Sequence, residues 1–473
     1  MTRAAAGQAE RSPSGGGFRG NTGLMLTNDP EAFDEALDNG VVSRRGVLAA
    51  GAVLSGLAST ASAAPAAPKG ASAGRPFKGY VTYPGKGGET HDLRLLPLGP
   101  RDVLIRSEVS VTTYTMTYNG LPRPGAAAGP NPRYVVPGQG CVGVVEAVGP
   151  TVKRMRVGDR AVFCGNPQCG QCYQCLSGRA EWCQVLSEEV RPFAAMADGT
   201  PVYAAGGVGG LSELVVATEE WGFPIWTDLP SIEVAMANST GAYGLGTAFN
   251  QAPITPGADV VVIGCGPCGL GAVQGARIRG AGQIIAVEPI AYRRETALKF
   301  GATTAIDPNA VGDDLVPMVR EMCKGPTDRI FSGGRSWTNV YNVPKGADFT
   351  VEAAGGQLHP PKVERQPDPT GILPLRQAWE LTRAGGHLSY MGYFQKGDIA
   401  FPPMELSNRG RTIHSVQTGL QVMRDVPRII KLVERGHFDA RSMCTTTFPV
   451  ERARESLQAV ADRTTIGSFL VFT

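Results

Sequence analysis

The most confining stretch of this 473-residue chain lies between Asp259 and Glu288. Asp259-Val260-Val261-Val262-Ile263 is an apolar, β-branched run of the kind that forms a buried strand, and it leads directly into Gly264-Cys265-Gly266-Pro267-Cys268-Gly269. A helical stretch from Leu270 to about Arg279 follows, then a second apolar run, Gln283-Ile284-Ile285-Ala286-Val287, closed by Glu288. A strand that turns within six residues into a helix and then into a second strand predicts a β-α-β unit of a parallel sheet. The glycines turn the chain tightly and leave backbone N–H groups at the helix start open to a pyrophosphate. Glu288 stands at the spacing that accepts both hydroxyls of an adenosine ribose and repels a 2′-phosphate, so NAD is expected over NADP. The expected contacts are Gly264, Gly266, Pro267, Cys268, Gly269 and Glu288, with Arg293 five residues on reaching the ribose or a phosphate. Cys265-Gly266-Pro267-Cys268 also spells a redox dithiol at a helix start. Gly269 and Glu288 have a role in the nucleotide reading and none in the thiol one.

Around this unit the chain changes character. Between residues 76 and 230, short apolar or alternating runs such as Gly79-Tyr80-Val81-Thr82, Asp102-Val103-Leu104-Ile105-Arg106 and Val142-Gly143-Val144-Val145 predict a β-rich module. From Asp259 onward, strands alternate with helical stretches. The 62 glycines and 36 prolines suit many turns, and 42% hydrophobic against 18% charged residues is a globular balance. With 45 basic and 42 acidic residues the net charge is only +3, so no nucleic acid partner is expected; a small-molecule substrate is.

Within the β-rich module, Cys169, Cys172, Cys175 and Cys183 fall at intervals of three, three and eight. Four thiolates so spaced converge on zinc without an open position, which predicts one structural Zn²⁺ per chain. Disulfides are the alternative in an oxidising compartment, although neighbouring C-x-x-C pairs close poorly as disulfides and suit a metal well. Cys164 is expected to be a packed core thiol.

Together these elements resemble the zinc-type medium-chain dehydrogenase/reductase family, the alcohol dehydrogenase group. Gly149-Pro150, Val157-Gly158-Asp159-Arg160, the cysteine lobe, Pro256-Gly257, Lys299-Phe300-Gly301-Ala302-Thr303, Asp348-Phe349-Thr350-Val351-Glu352-Ala353-Ala354-Gly355 and Gly385-Gly386-His387-Leu388-Ser389-Tyr390-Met391-Gly392 carry the likeness, in the family's order. The resemblance implies an α/β fold: a GroES-like β-rich domain (residues 76–236 and 418–473, lobe 169–183) and a Rossmann doubly wound parallel sheet (residues 237–417). It also implies NAD-dependent hydride transfer, Met391 and Gly392 at the nicotinamide, and a homo-oligomer.

One part of the family pattern is missing. At the three positions where the family ligates a catalytic zinc, this chain has Thr113, Gln139 and Ser239, and Met116 replaces the supporting acid. Thr, Gln and Ser hold zinc poorly. None of the five histidines, His91, His359, His387, His414 and His437, falls on a ligand position. Cys141, two residues from Gln139, is expected on the same side by strand alternation but lacks partners. A carbonyl or an activated C=C bond must then be polarised by hydrogen bonds. Thr115 stands at the proton-relay hydroxyl position, and Tyr114, Tyr118 and Tyr243 align close to the substrate or nicotinamide. Two other outcomes stay open: a zinc enzyme with displaced ligands, and a silent nucleotide-binding protein.

Before the folded part, Ser43-Arg44-Arg45-Gly46-Val47-Leu48, a Gly/Ala-rich apolar run and Ala61-Ser62-Ala63 resemble a twin-arginine export signal. The expected organisation is a disordered leader (1–42), the signal (43–64) and a linker (65–75). This predicts a periplasmic or extracellular protein using the twin-arginine machinery, without an integral membrane span in the mature chain; an unused signal leaves it cytoplasmic. Free NAD is scarce outside the cytoplasm. Two additions to the family pattern, residues 325–345 and 356–373, are therefore candidate covers over a tightly held NAD.

Overall fold

The computed structural model describes residues 73–123, 132–251, 254–325, 346–356, 368, 370–393, 400 and 410–473. All belong to one of the two units into which the chain divides, residues 67–473. The leader, the signal, most of the linker and most of both additions lie outside the described residues. Among the described residues, no helix is long and apolar enough to cross a membrane.

The first strands are β1 (Pro76–Tyr83), β2 (Gly87–Leu95) and β3 (Asp102–Thr112), followed by helix α1 (Tyr114–Gly120). Then come β4 (Tyr134–Val136), β5 (Gly140–Val148), β6 (Arg160–Cys164), β7 (Pro192–Ala195), β8 (Pro201–Ala204), β9 (Leu214–Thr218) and β10 (Gly222–Pro224). A closed barrel runs β1-β2-β7-β8-β4 around Tyr80, Leu93, Leu95, Val136, Phe193 and Val202. Closure removes its sheet edges. The Tyr80 hydroxyl donates to Gly120 O at 2.7 Å, fixing α1 on the barrel.

The remaining strands are β11 (Asp259–Ile263), β12 (Gln283–Val287), β13 (Thr304–Ile306), β14 (Ala347–Glu352), β15 (Thr382–Tyr390), β16 (Thr412–Ser415), β17 (Cys444–Phe448) and β18 (Gly467–Val471). The last two return to the first region. A second sheet is ordered β10-β6-β5-β3-β18-β17, with β9 also on β3; β18 lies antiparallel to β3, with Ser468 opposite Thr112.

Strands β13-β12-β11-β14-β15-β16 form one sheet, parallel at every pairing. Alternation along β11 sends Val260 and Val262 into one apolar cluster and Val261 and Ile263 into another, so the strand is buried on both faces. Strand order reverses at β11, whose neighbours are β12 and β14, and ligands bind parallel sheets beyond the carboxyl ends of strands at such a reversal.

Two helices flank that point: α2 (Thr240–Asn250) and α3 (Pro267–Ile278). Helix α3 starts three residues earlier than the sequence pattern suggests, because Pro267 at its first position has its φ preset for a helix. Gly244 lets the two helices meet: a Cβ there would come within 1.8 Å of Cys268 O. That close approach brings Tyr243 to the start of α3.

Candidate functional site

A cavity of about 760 Å³ opens at the strand reversal. It is lined from the parallel sheet by Gly264, Gly266, Glu288 and Met391, and from the other lobe by Thr113, Thr115, Gln139 and Asn166. The glycine turn is built as a cradle. A Cβ on Gly269 would meet Gly264 O at 1.8 Å, so only glycine closes the turn, whereas one on Gly266 would meet nothing nearer than Arg293 Nη1 at 3.9 Å. Open space with a guanidinium facing it fits a pyrophosphate. Arg293 is buried and donates to Thr465 O at 2.8 Å and, through Nε, to the Tyr292 hydroxyl at 3.0 Å.

Glu288 is placed at the end of β12 as the spacing required, and it does more than face the cavity. Its carboxylate accepts Cys265 N–H at 2.6 Å and Ile290 N–H at 3.0 Å, so it also fixes the glycine turn. A second buried carboxylate, Glu352 at the end of β14, accepts from Ala354 N, Gly355 N and Gly392 N at 2.8–3.0 Å. It joins the loop after β14 to the Met391–Gly392 loop. Burial pushes the Cys268 thiol up to about 12 and that of Cys265 well above its usual value, the reverse of a reactive redox dithiol.

Opposite the turn, neutral polar groups bond to one another. Thr113 and Thr115 hydroxyls are 2.9 Å apart, and Gln139 Nε2 donates to Thr115 Oγ1 at 3.4 Å. Tyr243 lines the same cavity. Burial raises its pKa well above the usual phenol value, with Cys164 and Cys268 adding to the rise. Tyr114 lies on this wall too, its hydroxyl accepting from Arg463 Nη2 at 3.3 Å. Tyr118 does not join them: it packs edge-on against Tyr393, with the Arg123 guanidinium 3.6 Å over its ring. Ser239, at the start of α2, is not among the cavity's lining residues. Cys141 departs from the alternation argument. Strand β5 begins only at Gly140, and Cys141 turns into an apolar cluster beside Ser107, where burial pushes it up to about 12.

Arg463 went unread in the sequence. It lines the cavity, is 6% exposed, donates to Ala461 O and is held at φ +61°, the one non-glycine left-handed residue among those described. Its left-handed φ closes the helix Ala453–Ala461, with Arg463 N–H donating to Val460 O at 3.2 Å and Thr464 N–H to Ala459 O at 3.1 Å.

The cysteine lobe stands apart from the cavity. The Sγ atoms of Cys169, Cys172, Cys175 and Cys183 lie within 4.8 Å of one another, and all four thiols are free. Four thiolates about 2.3 Å from one zinc sit roughly 3.8 Å apart, so the set fits the ion. Cys169 Sγ accepts from Cys172 N at 3.3 Å, and Cys183 Sγ from Cys169 N at 3.3 Å. Backbone N–H groups of Gln184 and Cys175 pull Cys172 down to about 6, whereas burial pushes Cys183 up to about 12. Among the described residues this is the only group of three or more His, Cys, Asp or Glu side chains placed to share a metal.

Comparison with known proteins agrees with this architecture. The family described as "Alcohol dehydrogenase GroES-like domain" matches residues 99–227, and "Zinc-binding dehydrogenase" matches residues 267–435. Alcohol dehydrogenase 1 of Pisum sativum is 31% identical over 65% of this chain and 74% of its own length. Alcohol dehydrogenase class-2 isozyme 2 of Oryctolagus cuniculus is 26% identical over 72% of this chain and 83% of its own. Among solved structures, an alcohol dehydrogenase zinc-binding domain protein from Burkholderia ambifaria superposes with a TM-score of 0.69 at 22% identity, covering 84% of this chain and 99% of that one, which gives the fold.

Proposed function

The chain belongs to the zinc-binding alcohol dehydrogenase family and is an oxidoreductase; from that premise we propose that it works with NAD(H), keeps one structural zinc and uses no catalytic zinc. The substrate is a small alcohol or carbonyl compound, or an activated C=C bond. The observation that carries this reading is the wall opposite the glycine turn, where Thr113, Thr115 and Gln139 bond to one another and offer no thiolate, imidazole or carboxylate. Such donors do not fit zinc, and no step here runs through a metal.

NAD would be held by the Gly264–Gly269 turn, Glu288 and Arg293, and when bound it supplies or accepts the hydride. Glu288 disfavours a 2′-phosphate. Glu352, through its bonds to Ala354, Gly355 and Gly392, keeps the two loops beside the nicotinamide site in register. The neutral wall, with Thr115 and Tyr243 as candidate catalytic hydroxyls, meets the substrate oxygen with O–H donors and stabilises charge arising there. The four-cysteine lobe takes the structural zinc and has no open position for substrate.

Elemental analysis of the pure protein together with an NADH oxidation assay on benzaldehyde and cyclohexenone tests this. One zinc per chain with turnover is the expected outcome. Two zincs per chain would favour displaced ligands, and no turnover with any alcohol, aldehyde or enone would favour a silent binding protein. The export signal belongs to the same reading: a protein carried out already folded would take its zinc and its nucleotide along. Nucleotide released on denaturing the purified mature protein is the check, and an empty, freely exchanging site would count against it.

A further inference from the structure

Arg463 lies outside both matched family segments, in the turn between the helix Ala453–Ala461 and β18, yet it is buried at the cavity wall. Two bonds brace its guanidinium: Nη1 donates to Ala461 O at 3.1 Å and Nη2 to the Tyr114 hydroxyl at 3.3 Å. The same turn is tied to Arg293, the cation that faces the glycine turn. The Tyr292 hydroxyl donates to Arg463 O at 2.8 Å and accepts from Arg293 Nε at 3.0 Å, while Arg293 Nη2 donates to Thr465 O at 2.8 Å. One phenol oxygen and one carbonyl thus join two arginines that reach the cavity from different parts of the chain.

Charge decides what such a pair can hold. Among the described residues that line the cavity, Arg293 and Arg463 are the two cations, and Glu288, Asp313 and Asp368 are the carboxylates. At the glycine turn the Glu288 carboxylate offsets the charge of Arg293. A dinucleotide pyrophosphate brings two negative charges, one on each phosphorus, and the start of α3 answers them with only about half a positive charge. Glu288, Arg293 and Arg463 are all buried, where charges are screened less than at the surface, so a dianion on the turn needs a further cation. Arg463 is the lining residue that can supply it. Its backbone ties run to Tyr292 and, through Thr465, to Arg293, on the side of the glycine turn.

We propose that Arg463 is a cofactor-binding residue: with Arg293 it forms a two-cation clamp on the pyrophosphate, and Tyr292 is the positioning residue that holds the two arginines at a fixed spacing. This rests on the NAD(H) reading and deepens it. Arg293 follows β12 of the parallel sheet, whereas Arg463 precedes β18 of the other lobe, so a bound dinucleotide ties the two lobes together through its phosphates. The clamp adds affinity without discrimination. NAD and NADP carry the same pyrophosphate, and the choice between them stays with Glu288.

The test titrates the full chain with NADH, ADP-ribose and adenosine, of which the first two carry the pyrophosphate and the third does not. Arg463→Met keeps much of the side chain's length and removes its charge; Arg463→Gly also relieves the left-handed φ of +61° and is the safer variant for folding. Each should weaken NADH and ADP-ribose by about 10- to 100-fold, with adenosine held within about twofold and the preference for NADH over NADPH unchanged. Arg463→Lys should recover part of the loss, and added salt should weaken NADH less in Arg463→Met than in the unaltered protein. Tyr292→Phe should cost about 3- to 10-fold on the same two ligands. Unchanged NADH and ADP-ribose affinities in both Arg463 variants would overturn the proposal, as would an equal loss for adenosine, the mark of a merely structural role. Unchanged NADH affinity with lost binding of benzoate would also overturn it and give the guanidinium to an anionic substrate. If the unaltered protein binds none of NADH, NADPH and ADP-ribose, the nucleotide reading itself falls and takes the clamp with it.

Discussion

The cysteine lobe and the cavity wall are two solutions to the same problem, placing several polar side chains around one point. In the lobe four thiols face one another with their Sγ atoms within 4.8 Å. In the wall the polar groups are already bonded among themselves, Thr113 to Thr115 and Gln139 to Thr115. The lobe's thiols are arranged as an ion would need them, whereas the wall's hydroxyls and amide already serve one another. The proposed metal site and the proposed substrate site thus lie in separate regions of one chain.

The sharpest way to break that contrast is to treat both regions alike. Cys172→Ser should abolish bound zinc and lower Tm by on the order of 10 °C or prevent folding, since a structural zinc contributes folding free energy. Thr113→Ala should leave zinc content unchanged and Tm within about 2 °C. Normal folding of the cysteine variant, seen by calorimetry, would mean that the lobe is not a metal site.

Next in size is the cofactor side of the cavity. Because Glu288 holds Cys265 N and Ile290 N, Glu288→Ala should cost both turn geometry and ribose contact, weakening NADH about 10- to 100-fold in a fluorescence titration. Zinc content should not move. In the unaltered protein NADPH should bind more weakly than NADH, and the reverse order would refute the assignment of Glu288.

A smaller effect is expected at Gly165, where a side chain would fill cavity space beside Gln139. Gly165→Leu should reduce kcat/KM for benzaldehyde about 10-fold relative to acetaldehyde, with NADH affinity unchanged. Equal losses for both aldehydes would place Gly165 outside the substrate region.

The smallest effect is one of pH. His387 Nδ1 and His414 Nε2 lie 3.0 Å apart on β15 and β16, the strands that lead into the Met391 and Gln417 sides of the cavity. Burial lowers both pKa values, with Arg383 adding to the effect on His387 and His387 to that on His414. The folded state thus binds fewer protons than the unfolded one. Its stability is present above the unfolded value of about 6.5 and is lost as pH falls through it toward the folded values. Tm should decline between pH 7.5 and 5.5, and His414→Gln should flatten the decline. Hydrogen exchange should show loosening at β16 while the cysteine lobe stays protected.

What sequence could show of these regions follows from how each is encoded. The glycine turn, Glu288 and the four cysteines are local patterns, set by spacing within about thirty residues, and the parallel sheet follows from apolar runs alternating with helices. Thr113, Gln139 and Ser239 became legible as departures only against a family likeness. Three features depend on contacts between distant segments and were hidden. Arg463 reaches the cavity from 349 residues beyond Tyr114, and Asn166 lies buried in it with Nδ2 unpartnered. Cys141 turns inward because β5 starts one residue later than its alternation required. The double duty of Glu288 escaped for another reason: its second partner is backbone, which every residue carries.

Strand β18 seals a sheet whose partner β3 lies roughly 360 residues earlier in the chain. The parallel sheet is contiguous in the chain and can assemble as soon as it emerges. The lobe made first cannot be finished until β18 has been made, because Phe469 and Leu470 are fully buried in its apolar clusters. Removing residues 464–473 would leave the parallel sheet intact and this lobe without the strand that closes it.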